Sequence, residues 1–390
     1  MVVLLYFLFL CQSFFNFINC SSSDEKIVTT TFFYLKHFPY INLGFGGNTK
    51  IFTFSLNDNY TYIPDKEGGS PLSKSVEFYE EKEEIIYNEK KITANKGSDS
   101  IGIFGEKNPV INLTFYILSY KDIKGIQSIG LAYKFDDETF SLVHQLKKAN
   151  YITQHKFALS SANDSVQSLY FGGIPQSEIS NLYYAKCLVH SNSSNWGCKL
   201  DYIIINNKKV NLQKTDYLLT FNADNVRLLA PKKFIDVLFH ELFEERISKG
   251  ICRYTSSTPQ NIKCDCKAIK EIGNVTFVIE HTKFVFSEKD LFFEEYDECT
   301  FLIQENTNND KEFIIGRIFL NKFLTLFDYD NGRIGFYSKN PFTKDNFVLI
   351  NLLFFAITIV SFGIIFYIYT KRFCVNKYEV IIKDKELSLI

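Results

Sequence analysis

The sequence predicts a mainly β, bilobal ectodomain behind a secretory signal and ahead of one C-terminal transmembrane helix. Three observations predict it: apolar segments of strand length separated by turn residues, one coarse internal repeat, and one long uncharged stretch near the C terminus. An apolar share of 46%, with 40 Phe and 23 Tyr, supplies enough core-forming material to exclude a disordered chain. With 43 Lys and Arg against 44 Asp and Glu there is no net basic field, so no nucleic-acid partner is expected.

From the N terminus, residues 2–18 carry no charge and run into Asn19, Cys20 and a Ser-rich stretch. This is the pattern of a signal peptide over 1–20, followed by an N-terminal segment over 21–39. Between residues 28 and 337 most apolar segments are short, rich in Phe, Ile, Tyr and Val, and bounded by Gly, Asn, Asp or Ser. Strands are expected at 51–56, 110–118, 168–171, 202–205, 217–221, 275–279 and 313–315. Helices are expected at 141–149 and at 231–246, where Phe234, Val237, Leu238 and Leu242 share one face. The charge-rich run 77–91 reads as a solvated hairpin or loop.

The repeat links two distant segments. Phe52-Thr-Phe-Ser-Leu-Asn57-Asp58-Asn59 recurs as Leu219-Thr-Phe-Asn222-Ala223-Asp224-Asn225, and each is followed by paired apolar residues and a glycine. Those sequels are Ser128-Ile129-Gly130-Leu131 and Ile314-Ile315-Gly316, so two homologous lobes are expected over 40–180 and 181–340.

Beyond them, residues 347–370 are uncharged and long enough, at about 36 Å as a helix, to cross a hydrocarbon core of about 30 Å. Lys371 and Arg372 follow directly, which places 371–390 in the cytosol and gives a single-pass type I topology with a luminal or extracellular ectodomain. In that tail, Tyr378-Glu-Val-Ile381 has the Tyr-x-x-apolar form that resembles a sorting signal.

Six of the nine cysteines fall in the ectodomain, an even set that reads as disulfides in the oxidising secretory pathway. Spacing does not fix their connectivity; local loops from Cys187 to Cys198 and from Cys252 to Cys264 are expected. Glycosylation candidates are Asn59, Asn112, Asn163, Asn192 and Asn274, each opening an Asn-x-Ser/Thr triplet. The six histidines have no metal or triad spacing, and neither a metal nor a cofactor is expected. Trp196, inside a cysteine-bounded loop, is expected to pack.

Tyr40-Ile-Asn-Leu-Gly-Phe-Gly, Ile129-Gly-Leu-Ala-Tyr133, Tyr170-Phe-Gly-Gly-Ile174, Ile314-Ile-Gly-Arg-Ile-Phe319, Phe327-Asp328 and Arg333-Ile-Gly-Phe336 follow one another in an order that makes the chain resemble the pepsin-like aspartic proteases, peptidase family A1. Tyr40-Ile-Asn-Leu-Gly-Phe-Gly is similar to the entry strand, and Ile129-Gly-Leu-Ala-Tyr133 to the segment that follows the first active-site loop. Tyr170-Phe-Gly-Gly-Ile174 is similar to the turn ending the first lobe. Ile314-Ile-Gly-Arg-Ile-Phe319, Phe327-Asp328 and Arg333-Ile-Gly-Phe336 resemble the ending of the second lobe. The resemblance implies a bilobal pepsin-like fold, a disulfide between Cys266 and Cys299, and a cleft for a peptide or protein ligand.

Such proteases use two carboxylates, one per lobe in Asp-Thr/Ser-Gly, that share a proton and activate a water. The departures from that pattern set the functional expectation. Counting along the two apolar strands puts Asn57 and Asn222 at the aspartate positions, and an amide cannot take a proton from water near neutral pH. Ala94 stands where the substrate-gripping flap Tyr is expected, in a segment that continues to Gly97. The expected function is therefore a membrane-anchored homologue that binds a peptide or protein without cleaving it. The alternative shifts each motif by one residue and makes Asp58 and Asp224 the dyad of an active endopeptidase. The oligomeric state is left open.

Overall fold

The computed structural model describes residues 26–344, except 36–37, 46–47, 68–69, 72–75, 88–89, 105–108, 124–126, 135–136, 161–166, 191–194, 211–216, 256–261 and 296, together with 357–365 and 367–368. The expected signal peptide, the sequons at Asn163 and Asn192, and the tail with Tyr378 lie outside the described residues.

β-branched and aromatic residues alternating with polar ones make the chain mainly β. Strand Phe38–Phe45 alternates exposed and buried positions, with Ile41, Leu43 and Phe45 facing inward. It pairs antiparallel with Asn48–Ser55 on one side and Val28–Leu35 on the other. Its far end also meets Lys90–Ile103, Leu43 lying opposite Ile103, so the sheet of the first lobe folds back on itself.

That sheet continues into the second half of the chain. Lys156–Ser160 pairs with Leu324–Asp328, which pairs with Arg333–Ser338, which pairs with Tyr183–Leu188. The last hairpin of the second lobe thus extends the sheet of the first. A buried charge sits at this seam: Asp328, fully buried, accepts from Arg333 Nε at 2.9 Å and lies 3.5 Å from Lys156 Nζ. Such a group is retained because cations from both sides compensate its desolvation.

Trp196 is fully buried at the same seam. Its indole N–H donates to the Leu131 carbonyl at 2.7 Å, and the Tyr329 hydroxyl donates to the same oxygen at 3.3 Å. Around the indole stand Tyr133, Phe157, Phe327 and Tyr329, ring centroids 4.9, 5.8, 5.1 and 4.8 Å away. The second lobe is built on smaller sheets, one of which orders Gly197–Lys199, Leu218–Phe221, Glu312–Ile315, Leu228–Ala230 and Ile303–Glu305. Three disulfides close its loops, Cys187–Cys198, Cys252–Cys264 and Cys266–Cys299.

The helix expected at 231–246 is two pieces, Lys232–Leu242 and Glu244–Ser248, broken at Phe243, whose φ of −121° leaves the helical region. Phe234, Leu238 and Leu242 form its buried stripe. Val237 does not belong to that face; it is 37% exposed because it lies off the i, i+4, i+8 line. After Phe342 the chain forms a separate unit. In the expected transmembrane stretch, residues 357–365 are helical and their apolar side chains are exposed. Among the described residues no helix is long and apolar enough to cross a membrane.

Candidate functional site

In the first lobe, strand Asn48–Ser55 runs into a loop and emerges as the short strand Tyr62–Pro64, and strand Ser128–Gly130 lies between the two. In the second lobe, Leu218–Phe221, Leu228–Ala230 and Glu312–Ile315 repeat the arrangement. The register makes the correspondence residue by residue. Phe54 pairs parallel with Ile129 and Phe221 with Ile315, while Tyr62 faces Ser128 and Leu229 faces Ile314.

The two glycines fix the same correspondence independently. A Cβ on Gly130 would lie 2.6 Å from the carbonyl oxygens of both Asp58 and Tyr60; a Cβ on Gly316 would lie 2.3 and 2.5 Å from those of Asn225 and Arg227. Only glycine allows the loop to cross so closely. Asp58 is therefore the counterpart of Asn225, Asn57 of Asp224, and Ser55 of Asn222.

This corrects the sequence-based register. Asn57 is not the partner of Asn222; Ser55 is, with Asn57 two residues further into its loop. The error arose because the count followed the apolar run through Leu56. Pro64, the last residue of one second strand, and Pro231, directly after the other, stand the same number of residues after Ser55 and Asn222, and that signal could have found the register. In this register Asp58 and Asp224, the pair of the shifted alternative, stand one position out of step.

Both junction residues do the same local work. Ser55 Oγ accepts from the Asn57 backbone N–H at 3.3 Å, and Asn222 Oδ1 accepts from the Asp224 backbone N–H at 2.8 Å. These are side-chain-capped turns, a role that Ser and Asn fill readily. Asn57 Oδ1 is buried and accepts no hydrogen bond among the described residues.

The structure does bring Asp58 and Asp224 within electrostatic reach. Burial pushes Asp58 up to about 6, opposed by a hydrogen bond from the Ser55 hydroxyl. Burial, and then the negative charge of Asp58, pushes Asp224 up to about 7. Both residues keep part of their surface open to solvent while protein crowds the carboxyls. No hydrogen bond joins the two carboxyls among the described residues. Beside them Tyr34 is held above the usual phenol range by burial, although the Arg317 guanidinium, 4.2 Å over its ring, works against it.

The hairpin expected to form the flap is present: Glu77–Tyr87 pairs with Lys90–Ile103, Tyr87 lying opposite Lys90. Ala94, opposite Glu83 and fully buried, is not at the tip; it sits in the sheet because its small apolar side chain packs with Tyr62, Tyr116 and Phe140. Gly97 is also within the sheet, where a Cβ would come 2.8 Å from Ile117 Cδ1. A tyrosine, Tyr87, ends the first strand. The hairpin is tied down through Lys96, 2.8 Å from Glu83 and 5.4 Å over the Phe140 ring, and through the Tyr116 hydroxyl, which donates to Glu83. Tyr116 in turn packs edge-on against Tyr60 of the first loop at 5.4 Å.

Of the described sequons, Asn112 is exposed on its strand, while Asn59 and Asn274 are half-buried. Sequence reasoning expected Trp196 to pack but missed that it and Tyr329 share the Leu131 carbonyl, next to Gly130. No side-chain group of three or more metal-binding residues occurs among the described residues.

A family model described as eukaryotic aspartyl protease matches residues 83–339. Among solved structures, basic 7S globulin from soybean superposes with a TM-score of 0.66, covering 81% of this chain and 95% of that one at 14% identity. That likeness is one of fold alone. No curated protein sequence matches the chain.

Proposed function

Since this chain belongs to the eukaryotic aspartyl protease family, we propose that it binds a peptide or protein segment between its lobes without hydrolysing it. The observation that carries this reading is the pair Ser55 and Asn222 at the equivalent loop junctions. A hydroxyl and an amide can position a water or a ligand group but supply no base near neutral pH. The disulfides support residence in the secretory pathway. The uncharged stretch 347–370, whose described part is helical with exposed apolar side chains, supports a membrane anchor.

A second reading rests on one observation. Because Asp58 is raised to about 6 and Asp224 to about 7, the pair passes through a state with one proton between these values. A hydrolytic pair needs such a state. The test is hydrolysis of a mixed peptide library by the purified full chain across acidic and neutral pH. The binding reading expects cleavage no faster than in a buffer control, together with binding of a peptide inhibitor of aspartic proteases. Cleavage abolished by Asp58→Asn or by Asp224→Asn would establish the second reading instead.

A further inference from the structure

Directly beyond the second loop lies a cavity of about 420 Å3 bordered by Val226, two residues after Asp224, and by Arg317, the residue after Gly316. Its apolar wall includes Phe292 and Ile318; Lys289, Asp290, Lys322 and Arg317 supply its charges. Asp290 is already taken, forming an ion pair with Lys322 and accepting from the Ser287 hydroxyl at 2.9 Å. Lys322 is likewise committed, to Asp290 and to the face of Phe286 at 5.2 Å. Two cations remain. Lys289 is exposed and has no carboxylate partner among the described residues. Arg317 has none either: it lies over the Tyr34 ring, its Nε is buried without a hydrogen-bond acceptor, and desolvation lowers its affinity for its proton.

A half-buried guanidinium with an unmet donor is costly unless an anion completes it. We infer that the cavity formed by Val226, Phe292, Lys289 and Arg317 binds an acidic peptide segment, its carboxylate received by Arg317 and Lys289 and its apolar stem by the aromatic wall. The volume suits a short stretch of side chains better than a single small ion. A planar guanidinium is the group best shaped to receive a carboxylate through two parallel hydrogen bonds. This inference rests on the binding reading above and adds the class of segment bound.

The experiment uses the full chain in detergent micelles at neutral pH and two short fluorescein-labelled peptides, one alternating Leu and Glu, the other with Gln in place of every Glu. Fluorescence anisotropy is expected to show the Glu peptide binding at least about tenfold more tightly, with the difference shrinking as salt is added. Arg317→Gln and, separately, the surface change Lys289→Gln should each reduce that preference while leaving the Gln peptide unaffected. Lys289→Gln keeps the test decisive if Arg317→Gln does not fold. Equal affinity for the two peptides, or a preference untouched by Lys289→Gln and Arg317→Gln, overturns the acidic assignment while the binding reading stands. Failure to bind either peptide overturns it too; whether the peptide inhibitor then binds decides the fate of the parent reading. Hydrolysis of the Glu peptide that depends on Asp58 would overturn the non-catalytic reading and leave the acidic preference standing.

Discussion

The loop after Ser55 and the loop after Asn222 share one backbone path and differ in almost every side chain. Each starts with a side-chain-capped turn, crosses a glycine of the opposing strand at sub-van-der-Waals distance from any Cβ, and leads into a short strand with proline at its end. Yet the carboxyl falls one position later in the first loop than in the second, at Asp58 and Asp224. The backbone symmetry is thus kept by glycine and register, while the charges break it. Fold and chemistry have separate determinants even within one loop, and only the first of them is repeated here.

The strongest way to break the comparison is through the glycines. Gly130→Ala and Gly316→Ala each place a Cβ against two carbonyl oxygens, and overpacking of backbone on backbone has no side chain to yield. Each should cost about 3 kcal/mol or more, read as a lowered urea midpoint or failed secretion. Gly316→Ala should be the worse because its contacts are shorter. Tolerance of either change would mean that the two loops are not held alike.

A smaller effect sharpens the electrostatic half. Both carboxyls bind protons more tightly in the folded chain than in the unfolded one. Their stabilising contribution is therefore complete below about pH 4 and is lost as pH rises through about 6 for Asp58 and about 7 for Asp224. Asp224→Asn should raise stability at about pH 8 by about 2 kcal/mol and change it little near pH 4; Asp58→Asn should do the same to a lesser degree. Chemical denaturation at the two pH values checks this. A gain that is equal at both would remove the assignment of burial as its cause.

The smallest effect separates the two turns. Asn222→Ala removes the acceptor for the Asp224 backbone N–H and should cost about 1 kcal/mol. Asn57→Ala removes a buried oxygen that has no donor, so it should be neutral or slightly stabilising. Thermal unfolding of the two variants side by side reads the difference, and an equal loss would show that Asn57 is held by more than its position.

Much of the fold was legible because its determinants are local. The strands at 110–118 and 275–279, the glycine-bearing segments at 129–131 and 314–316, and the helix after Pro231 all announce themselves by apolar period and turn residues. The site was less legible. Register depends on where a strand stops and a loop begins, and Leu56, apolar and fully buried, extends the apolar run one residue past the strand that ends at Ser55. The flap position, taken from the resemblance, was no easier to read: small residues such as Ala94 and Gly97 also fit where sheet and side chains crowd, as they do opposite Glu83 and beside Ile117. The electrostatic coupling of Asp58 to Asp224 and the cavity beside Arg317 depend on packing between segments far apart in sequence, which no local pattern encodes.

The three disulfides have a consequence for how the molecule comes apart. All lie between Cys187 and Cys299, and the chain has no cysteine between Cys20 and Cys187. Each cross-link removes roughly 3 kcal/mol of freedom from the unfolded ensemble of the second lobe alone. A reducing environment would therefore melt the molecule from one side. The half that carries Asn222, Asp224 and Arg317 would open first, leaving Ser55 and Asp58 on a half indifferent to thiols. The redox state of the surroundings acts on this protein as a grip released from one hand.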